Sequence, residues 1–158
     1  MFNIGKFVFS SIYSFINKFT KFKVKLLNSD AKIPQKVDSG SAGYDIFSSF
    51  NITIPPGKRQ LVSTGISLEV SKYFYIRIAP CKNLSVKGID IGAGVIDSNY
   101  RGEIKVLIIN NSYEDFYIEN GAKIAQLIIE RCSDTRIEVV DILSETERGF
   151  GGFGSTGN

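Results

Sequence analysis

Short runs of β-branched and aromatic residues constrain the fold of this chain more than any other feature of its sequence. They lie at residues 22–26, 52–54, 73–78 and 104–109, and several alternate in hydropathy as half-buried strands do. Turn-forming residues separate the runs at fairly regular spacing: Pro55-Pro56-Gly57, Gly65, Pro80, Gly88, Gly92 with Gly94, Asn110-Asn111 and Asn120-Gly121. The pattern predicts a single all-β domain, a sandwich or jelly roll.

Composition limits the chemistry that such a domain can perform. The 158 residues include no histidine, which excludes an imidazole base, a Ser-His-Asp triad and zinc held through nitrogen. The formal net charge of +3 is too balanced to indicate a nucleic-acid-binding protein. Cys81 and Cys132 form no Cys-x-x-Cys pair, so a reducing, intracellular and cytoplasmic location is expected.

Residues 1–21 differ from the rest of the chain. No acidic residue precedes Asp30, and apolar residues recur at three- and four-residue steps from Ile4 to Phe19, as on one face of a helix. Asn17, Lys18 and several serines interrupt the apolar run, so no membrane span is predicted. The pattern predicts an amphipathic extension, for which packing on the domain is favoured over contact of residues 1–20 with a membrane surface.

The last eleven residues, 148–158, contain five glycines and therefore predict a flexible arm rather than a core strand. Glycine lets backbone N–H groups approach an anion, and Arg148, Ser155 and Thr156 add donors that suit a phosphate. Phe150 and Phe153 can stack on a nucleobase. A disordered polar tail is the alternative that composition alone leaves open.

Two further stretches carry candidate acids. Residues 92–102 predict a tight hairpin with Asp97 and Tyr100 near its turn. A carboxylate on a rigid hairpin can act as a general base toward water when a metal-bound phosphate lies opposite, although an ordinary hairpin turn explains the same residues. Asp45 follows a glycine turn, as expected at the start of a strand or for a buried, hydrogen-bonded acid.

Five motifs, taken in order, resemble the homotrimeric dUTP diphosphatase (dUTPase) family. They are Ser41-Ala-Gly-Tyr-Asp45, Ala79-Pro80 with Leu84, Gly94-Val-Ile-Asp97-x-x-Tyr100-Arg-Gly102, Gly121-x-x-Ile-Ala-Gln126-Leu and Arg148-Gly-x-Gly-Gly-Phe-Gly-Ser-Thr156. The similarity runs from about Lys23 to the C-terminus, and residues 87–92 are most similar to the poxvirus branch. The resemblance implies a distorted jelly-roll or β-barrel subunit at residues 22–147, assembled as a homotrimer. It also implies that dUTP binds in sites built from three chains.

The third motif is expected, from the same resemblance, to hold the nucleoside and the attacking water. Gly94, Val95 and the backbone of Lys105 would recognise uracil. Tyr100 would pack under the deoxyribose and leave no space for a 2′-hydroxyl. Asp97 would activate the water that attacks the α-phosphorus, so that dUTP yields dUMP and pyrophosphate.

The other motifs are expected to hold the phosphates and to close the site. The implied contacts are Gln126 at the α-phosphate, Phe153 on the uracil, and Arg148, Gly154, Ser155 and Thr156 over the γ-phosphate. Mg²⁺ is expected to be held by the triphosphate itself, with no direct protein ligand. Asp45 and Gln126 are expected to contact it only through water molecules.

The second motif departs from the family pattern at three substrate-binding positions. Cys81, Lys82 and Asn83 stand where the family has Arg-Ser-Gly. Lys82 supplies a charge without the bidentate geometry of a guanidinium, and Asn83 tolerates a left-handed turn. Ala122-Lys123 also replaces Asp-Arg, a change interpreted as structural.

These departures leave two functions of different class. A dUTP pyrophosphatase is favoured, because a protein that only binds nucleotide has no evident need for Asp97. The alternative is a catalytically impaired member of the fold that binds a nucleotide or a protein partner. A dCTP deaminase has the same fold but matches the third motif and the arm less well.

Overall fold

The structure, a computed structural model, describes residues 21–151. The predicted helical extension at residues 1–20, with its packing or membrane contact, lies outside the described residues. So do four predicted arm residues: Phe153, Gly154, Ser155 and Thr156.

Ten strands and one short helix form between residues 21 and 151. They are β1 (Lys23–Leu26), β2 (Tyr44–Phe47), β3 (Ile52–Ile54), β4 (Arg59–Glu69), β5 (Phe74–Ala79), α1 (Lys82–Ser85), β6 (Ile89–Gly92), β7 (Val95–Ile96), β8 (Glu103–Asn110), β9 (Phe116–Ile118) and β10 (Lys123–Arg131). The all-β jelly-roll prediction is confirmed. The four runs identified in the sequence correspond to β1, β3, β5 and β8.

The strands form two four-stranded sheets and one small two-stranded sheet, all antiparallel. One sheet has the order β1-β4-β8-β6, the other has the order β2-β10-β5-β7, and β3 pairs with β9. Neighbours within each sheet are mostly distant in sequence, so residues from separate motifs meet by register. Gln126, for example, faces Asp45 on one side and Ala79 on the other.

Both large sheets contribute side chains to one hydrophobic core. In β8 the residues Ile104, Val106 and Ile108 are buried while their neighbours Glu103, Lys105 and Leu107 face outward, which is the two-residue period of a strand. Burial of each such aliphatic side chain stabilises the fold by roughly 1.5–3 kcal/mol. The outward face of β8 is thereby left available for a site.

Gly65 does not separate two strands, and the sequence-based prediction of a turn there is wrong. It lies within β4, where the β4–β8 register shifts between Ser63 and Ser67, and its φ is +68°. This is a β-bulge, which a glycine at positive φ accommodates. A Cβ at Gly65 would lie 2.8 Å from the Cβ of Ala31, so the position also requires a small residue.

After β10 the described chain contains no further strand or helix, and residues 133–147 are exposed. Apolar side chains are prominent in this segment: Ile137, Val139, Ile142 and Leu143 are each more than 80% exposed. Within residues 21–151, no helix is long and apolar enough to cross a membrane.

Candidate active site

Asp97 and Tyr100 lie in a tight turn directly after β7. The Tyr100 N–H donates to the Asp97 carbonyl at 3.1 Å, which closes the turn over four residues. The turn was predicted, but its description as a hairpin needs correction: β7 pairs with β5, whereas β8 pairs with β4 and β6. The segment therefore crosses from one sheet to the other and is anchored in both.

The turn borders a cavity of about 320 Å³ on the outward face of β4 and β8, which we call the Asp97 pocket. Its volume is within the range of small-molecule sites. Four residues that the sequence analysis selected line it, namely Val95, Asp97, Tyr100 and Lys105, together with Leu61, Ala93, Ile96, Glu103 and Leu107. Separate strands thus bring the predicted base, sugar and water-activating residues to one cavity.

Tyr100 is held at the edge of the Asp97 pocket by its neighbours in the turn. Its hydroxyl donates to the Glu103 carbonyl at 3.1 Å, and its ring lies directly over Gly102, where a Cβ would overlap the ring carbon Cζ at 2.6 Å. The motif glycine is therefore explained by close packing against an aromatic ring. A ring fixed in this way presents a rigid surface to a ligand.

The backbone before β7 is constrained as strongly. Ala93 has a φ of +51°, a conformation that is unfavourable for a residue with a Cβ and is often found at functional sites. Gly94 lies so close to β5 that a Cβ there would be 2.5 Å from the Ile78 carbonyl oxygen. The Gly94 carbonyl accepts the Ile78 N–H at 2.8 Å, so this group is already engaged in the fold.

A second group, which we call the Asp45 cluster, brings the predicted residues Asp45, Cys81 and Gln126 together with Lys123. Gln126 Nε2 lies 3.4 Å from Asp45 Oδ1, and Lys123 Nζ lies 3.2 Å from Asp45 Oδ2. Burial raises the pKa of the Cys81 thiol, the Lys123 ammonium lowers it and the Asp45 carboxylate raises it. The Asp45 carboxylate is almost fully buried and is compensated by these donors, as a buried charge must be.

The altered second motif folds as the start of α1. Cys81 is buried and its carbonyl accepts the N–H groups of Leu84 and Ser85, both at 3.0 Å. Lys82 and Asn83 are exposed on the helix. Asn83 does not adopt the left-handed conformation that it would tolerate. Among the described residues, Ala93 is the one non-glycine residue with positive φ.

The Asp97 pocket and the Asp45 cluster lie apart within one chain. Ile96 faces Ile76 on β5, whereas Gln126 faces Ala79, three residues further along the same strand, which is about 10 Å. β7 and β10 also lie on opposite sides of β5, and Asp97 continues away from Ala79. Arg148 belongs to neither group: it is exposed, and its Nε donates to the Gly151 carbonyl at 2.8 Å.

The structure adds two residues that sequence reasoning did not select for the site. Glu103 lines the Asp97 pocket, and Lys123 pairs with Asp45. In the sequence, each residue is recognisable only as a charged side chain at the first position of an apolar strand. That position does not show which side chain or backbone group the charged residue contacts.

Comparison with known proteins places this geometry in a family. A family model for dUTPase matches residues 29–157, which is most of the chain. The chain belongs to the dUTPase family. Poxvirus proteins named deoxyuridine 5′-triphosphate nucleotidohydrolase are similar to it: that of cowpox virus is 52% identical over 127 residues, with 80% of this chain and 86% of the viral protein covered. The protein of vaccinia virus strain Copenhagen gives the same identity and coverages. The predicted similarity to the poxvirus branch is thereby confirmed.

Solved structures support the same assignment. A mutant of the dUTPase from Staphylococcus bacteriophage 80alpha, solved with dUpNHpp, has a TM-score of 0.84 and 25% sequence identity, with 88% of this chain and 99% of that chain covered. A mutant dUTPase from phage phi11, described with a structural Mg(II) ion, has a TM-score of 0.75 at 22% identity, with 80% of this chain and 100% of that chain covered. The latter likeness concerns the fold alone.

Proposed function

We propose that this chain is a dUTP diphosphatase, which hydrolyses dUTP to dUMP and pyrophosphate. One observation carries the proposal: Asp97, Tyr100, Val95 and Lys105 border a single cavity of about 320 Å³. A carboxylate at the mouth of a cavity that fits a nucleoside can be aligned with the first phosphate attached to it. The 52% identity to viral deoxyuridine 5′-triphosphate nucleotidohydrolases supports the same substrate.

The chemistry assigned to the pocket requires positioning and one proton transfer. Uracil and deoxyribose fill the Asp97 pocket, with the Tyr100 ring under the sugar. The Asp97 carboxylate accepts a proton from a water as that water attacks the α-phosphorus. The bond from the α-phosphorus to the bridging oxygen breaks, and pyrophosphate leaves. Catalysis of this kind depends mainly on alignment and on stabilisation of the phosphate charge.

The Asp45 cluster is assigned to the phosphate end of the substrate. Gln126 and Lys123 place an amide and an ammonium beside a buried carboxylate, and cationic and amide donors suit phosphate oxygens. The cluster is proposed to serve the Asp97 of a different copy of the chain, in keeping with the sites built from three chains that the family resemblance implies. Arg148 and the arm residues Phe153, Gly154, Ser155 and Thr156 are proposed to close over the bound nucleotide.

The residues present suit magnesium that arrives with the triphosphate. Within residues 21–151, no three acidic, cysteine or histidine side chains group closely enough to hold a metal. The Asp45 carboxylate and the Gln126 amide lie side by side and fit waters of a hydrated Mg²⁺, which retains several waters in such sites. When bound, magnesium supplies neutralisation of the phosphate charge.

The proposed assembly is a homotrimer, and two features support it. The Asp97 pocket and the Asp45 cluster lie on different parts of one chain, which is compatible with a site completed by a neighbouring copy. Exposed apolar residues between 137 and 143 also need a partner surface, which a second copy of this chain supplies. Cytoplasmic location, in the host cell for a viral protein, is proposed on the absence of a disulfide framework in the sequence.

The test is an assay of the purified full-length protein with dUTP and magnesium, in which dUMP is separated and quantified. We expect dUMP and pyrophosphate in equal amounts, with dTTP, dCTP and UTP turned over far more slowly. A result with no dUMP above the no-enzyme control would overturn the proposal. Tight dUTP binding without turnover would instead select the catalytically impaired alternative, which no observation at residues 81–83 currently favours.

A further inference from the structure

We propose that Glu103 is a positioning residue that fixes Tyr100 and Lys105 in the Asp97 pocket by tying both to the bulge of β4. The inference rests on the proposed function only in naming dUTP as the ligand of the pocket. The contacts that carry it lie within the fold and do not depend on the substrate.

The Glu103 carboxylate replaces hydrogen bonds that the bulge removes from the β4–β8 ladder. Its Oε1 accepts the Gly65 N–H at 3.0 Å, and its Oε2 accepts the Ser63 hydroxyl at 3.4 Å. Gly65 is buried, and a buried backbone N–H needs an acceptor. The ladder cannot supply one where the register shifts between Ser63 and Ser67. A carboxylate reaching across from β8 therefore completes this part of the sheet.

The same residue holds two side chains of the Asp97 pocket. Lys105 lies two positions further along β8, on the same outward face, with its Nζ 3.6 Å from Glu103 Oε2. The Tyr100 hydroxyl donates to the Glu103 carbonyl at 3.1 Å. Displacement of the Glu103 backbone would therefore move the Tyr100 ring, and loss of its carboxylate would free the Lys105 ammonium.

This arrangement also resolves an electrostatic conflict. An unpaired Glu103 carboxylate in the wall of the pocket would repel the phosphates attached to the bound nucleoside, but Lys105 compensates its charge. The Glu103 side chain is only 23% exposed, so water screens it weakly. We infer that Glu103 is tolerated in the pocket because it organises the wall before the ligand arrives, which lowers the cost of ordering side chains on binding.

The test compares Glu103→Ala and Glu103→Gln with wild type, in steady-state kinetics for dUTP well below each protein's melting temperature. We expect Glu103→Ala to raise KM about tenfold while kcat changes less than about threefold. Glu103→Gln keeps an oxygen acceptor for the Gly65 N–H, so its KM should stay within about threefold of wild type. Glu69→Ala is the matched control, since Glu69 forms an exposed ion pair with Lys23 outside the pocket, and it should leave both constants unchanged.

Two kinetic outcomes would overturn the inference. A lower melting temperature for Glu103→Ala with an unchanged KM would show a merely structural residue, and a Glu103→Gln variant as impaired as Glu103→Ala would exclude the geometric role. Amide hydrogen exchange at Gly65, with the NMR signals of the Tyr100 ring, decides the matter separately from turnover. If wild type produced no dUMP, the proposed function would fail, whereas unchanged exchange and unchanged Tyr100 signals in Glu103→Ala would end this inference.

Discussion

The Asp97 pocket and the Asp45 cluster are held in place by different physical means. Backbone constraint shapes the pocket: Ala93 has a positive φ, Gly94 lies against β5, and Tyr100 covers Gly102. Side-chain electrostatics shapes the cluster, where a buried Asp45 carboxylate is paired with Lys123 and Gln126. The pocket is mostly exposed in a single chain, whereas the central carboxylate of the cluster is not.

This difference matches the two proposed ways of recognising the substrate: the pocket fits the nucleoside by shape, and the cluster binds the phosphates by charge. A cavity with rigid walls discriminates a nucleoside by steric fit, since interdigitated groups cannot shift cheaply. A cluster of compensated charges suits phosphates, which are recognised by ionic donors. Substitutions in the pocket should therefore affect the chemical step and the fit of the nucleoside, and substitutions in the cluster should weaken interactions with the phosphates.

The largest effect should come from Asp97→Asn. The amide cannot accept the proton of the attacking water, so kcat should fall by roughly 10² to 10⁴-fold. Asn has nearly the same shape, and the dissociation constant for dUTP, measured by calorimetry, should change little. Equal losses in turnover and in binding would contradict the role given to Asp97.

Deletion of residues 148–158 should give the next largest effect. The arm is proposed to close over the nucleotide bound between the two regions, and its loss should lower kcat/KM by about 10² to 10³-fold. Sedimentation should still detect trimers, because the strands that form the domain end before the arm. Monomers after the deletion would show that the arm serves assembly instead of catalysis.

The elements of the fold were more predictable than their contacts. Strand periodicity identified β1, β3, β5 and β8, because a strand that is buried on one face often alternates apolar and polar residues in the sequence. Gly65 was misinterpreted because a glycine at positive φ serves equally well in a turn and in a bulge within a strand. Residue order does not state which strand lies opposite, and the Glu103 carboxylate that closes the bulge is 38 positions away.

The same reasoning explains what was and was not predicted in the site. Asp97 and Tyr100 were selected from the predicted hairpin turn, Val95 and Lys105 were selected through family resemblance, and the structure brings all four to one pocket. Lys123 was interpreted as a structural replacement, since sequence alone does not show that its ammonium reaches Asp45. Its position follows from the pairing of β10 with β2, a contact across almost 80 residues of chain.

Lys123→Ala should give a smaller effect that is specific to the Asp45 cluster. The Asp45 carboxylate would lose a partly exposed cation, and kcat/KM for dUTP should fall about fivefold. Lys123→Arg should restore most of this loss, because a cation remains beside Asp45. Lys23→Ala, which removes an exposed ion pair elsewhere, is the control. Equal kcat/KM for Lys123→Ala and Lys23→Ala would show that Lys123 has no role in the site.

The smallest effect concerns the two thiols. Burial raises the pKa of Cys81, and the thiolate is the reactive form, so Cys81 should be alkylated more slowly than the exposed Cys132 at pH 8. Because the pKa of Cys81 is higher in the folded than in the unfolded chain, its contribution to stability is fully present below the unfolded thiol pKa and is lost as the pH rises through the folded pKa. Peptide mass spectrometry after iodoacetamide treatment measures both rates. Equal labelling of the two thiols would contradict the buried position of Cys81.

The most direct test of the account is a subunit-mixing experiment with Asp97→Asn and Gln126→Ala, each of which should be weakly active alone. If every site takes Asp97 from one chain and Gln126 from another, random mixing should restore about a quarter of the wild-type sites in trimers. Activity in the mixed sample should then clearly exceed the sum of the two parents. Activity equal to that sum would place both residues in a site within one chain and would contradict the account.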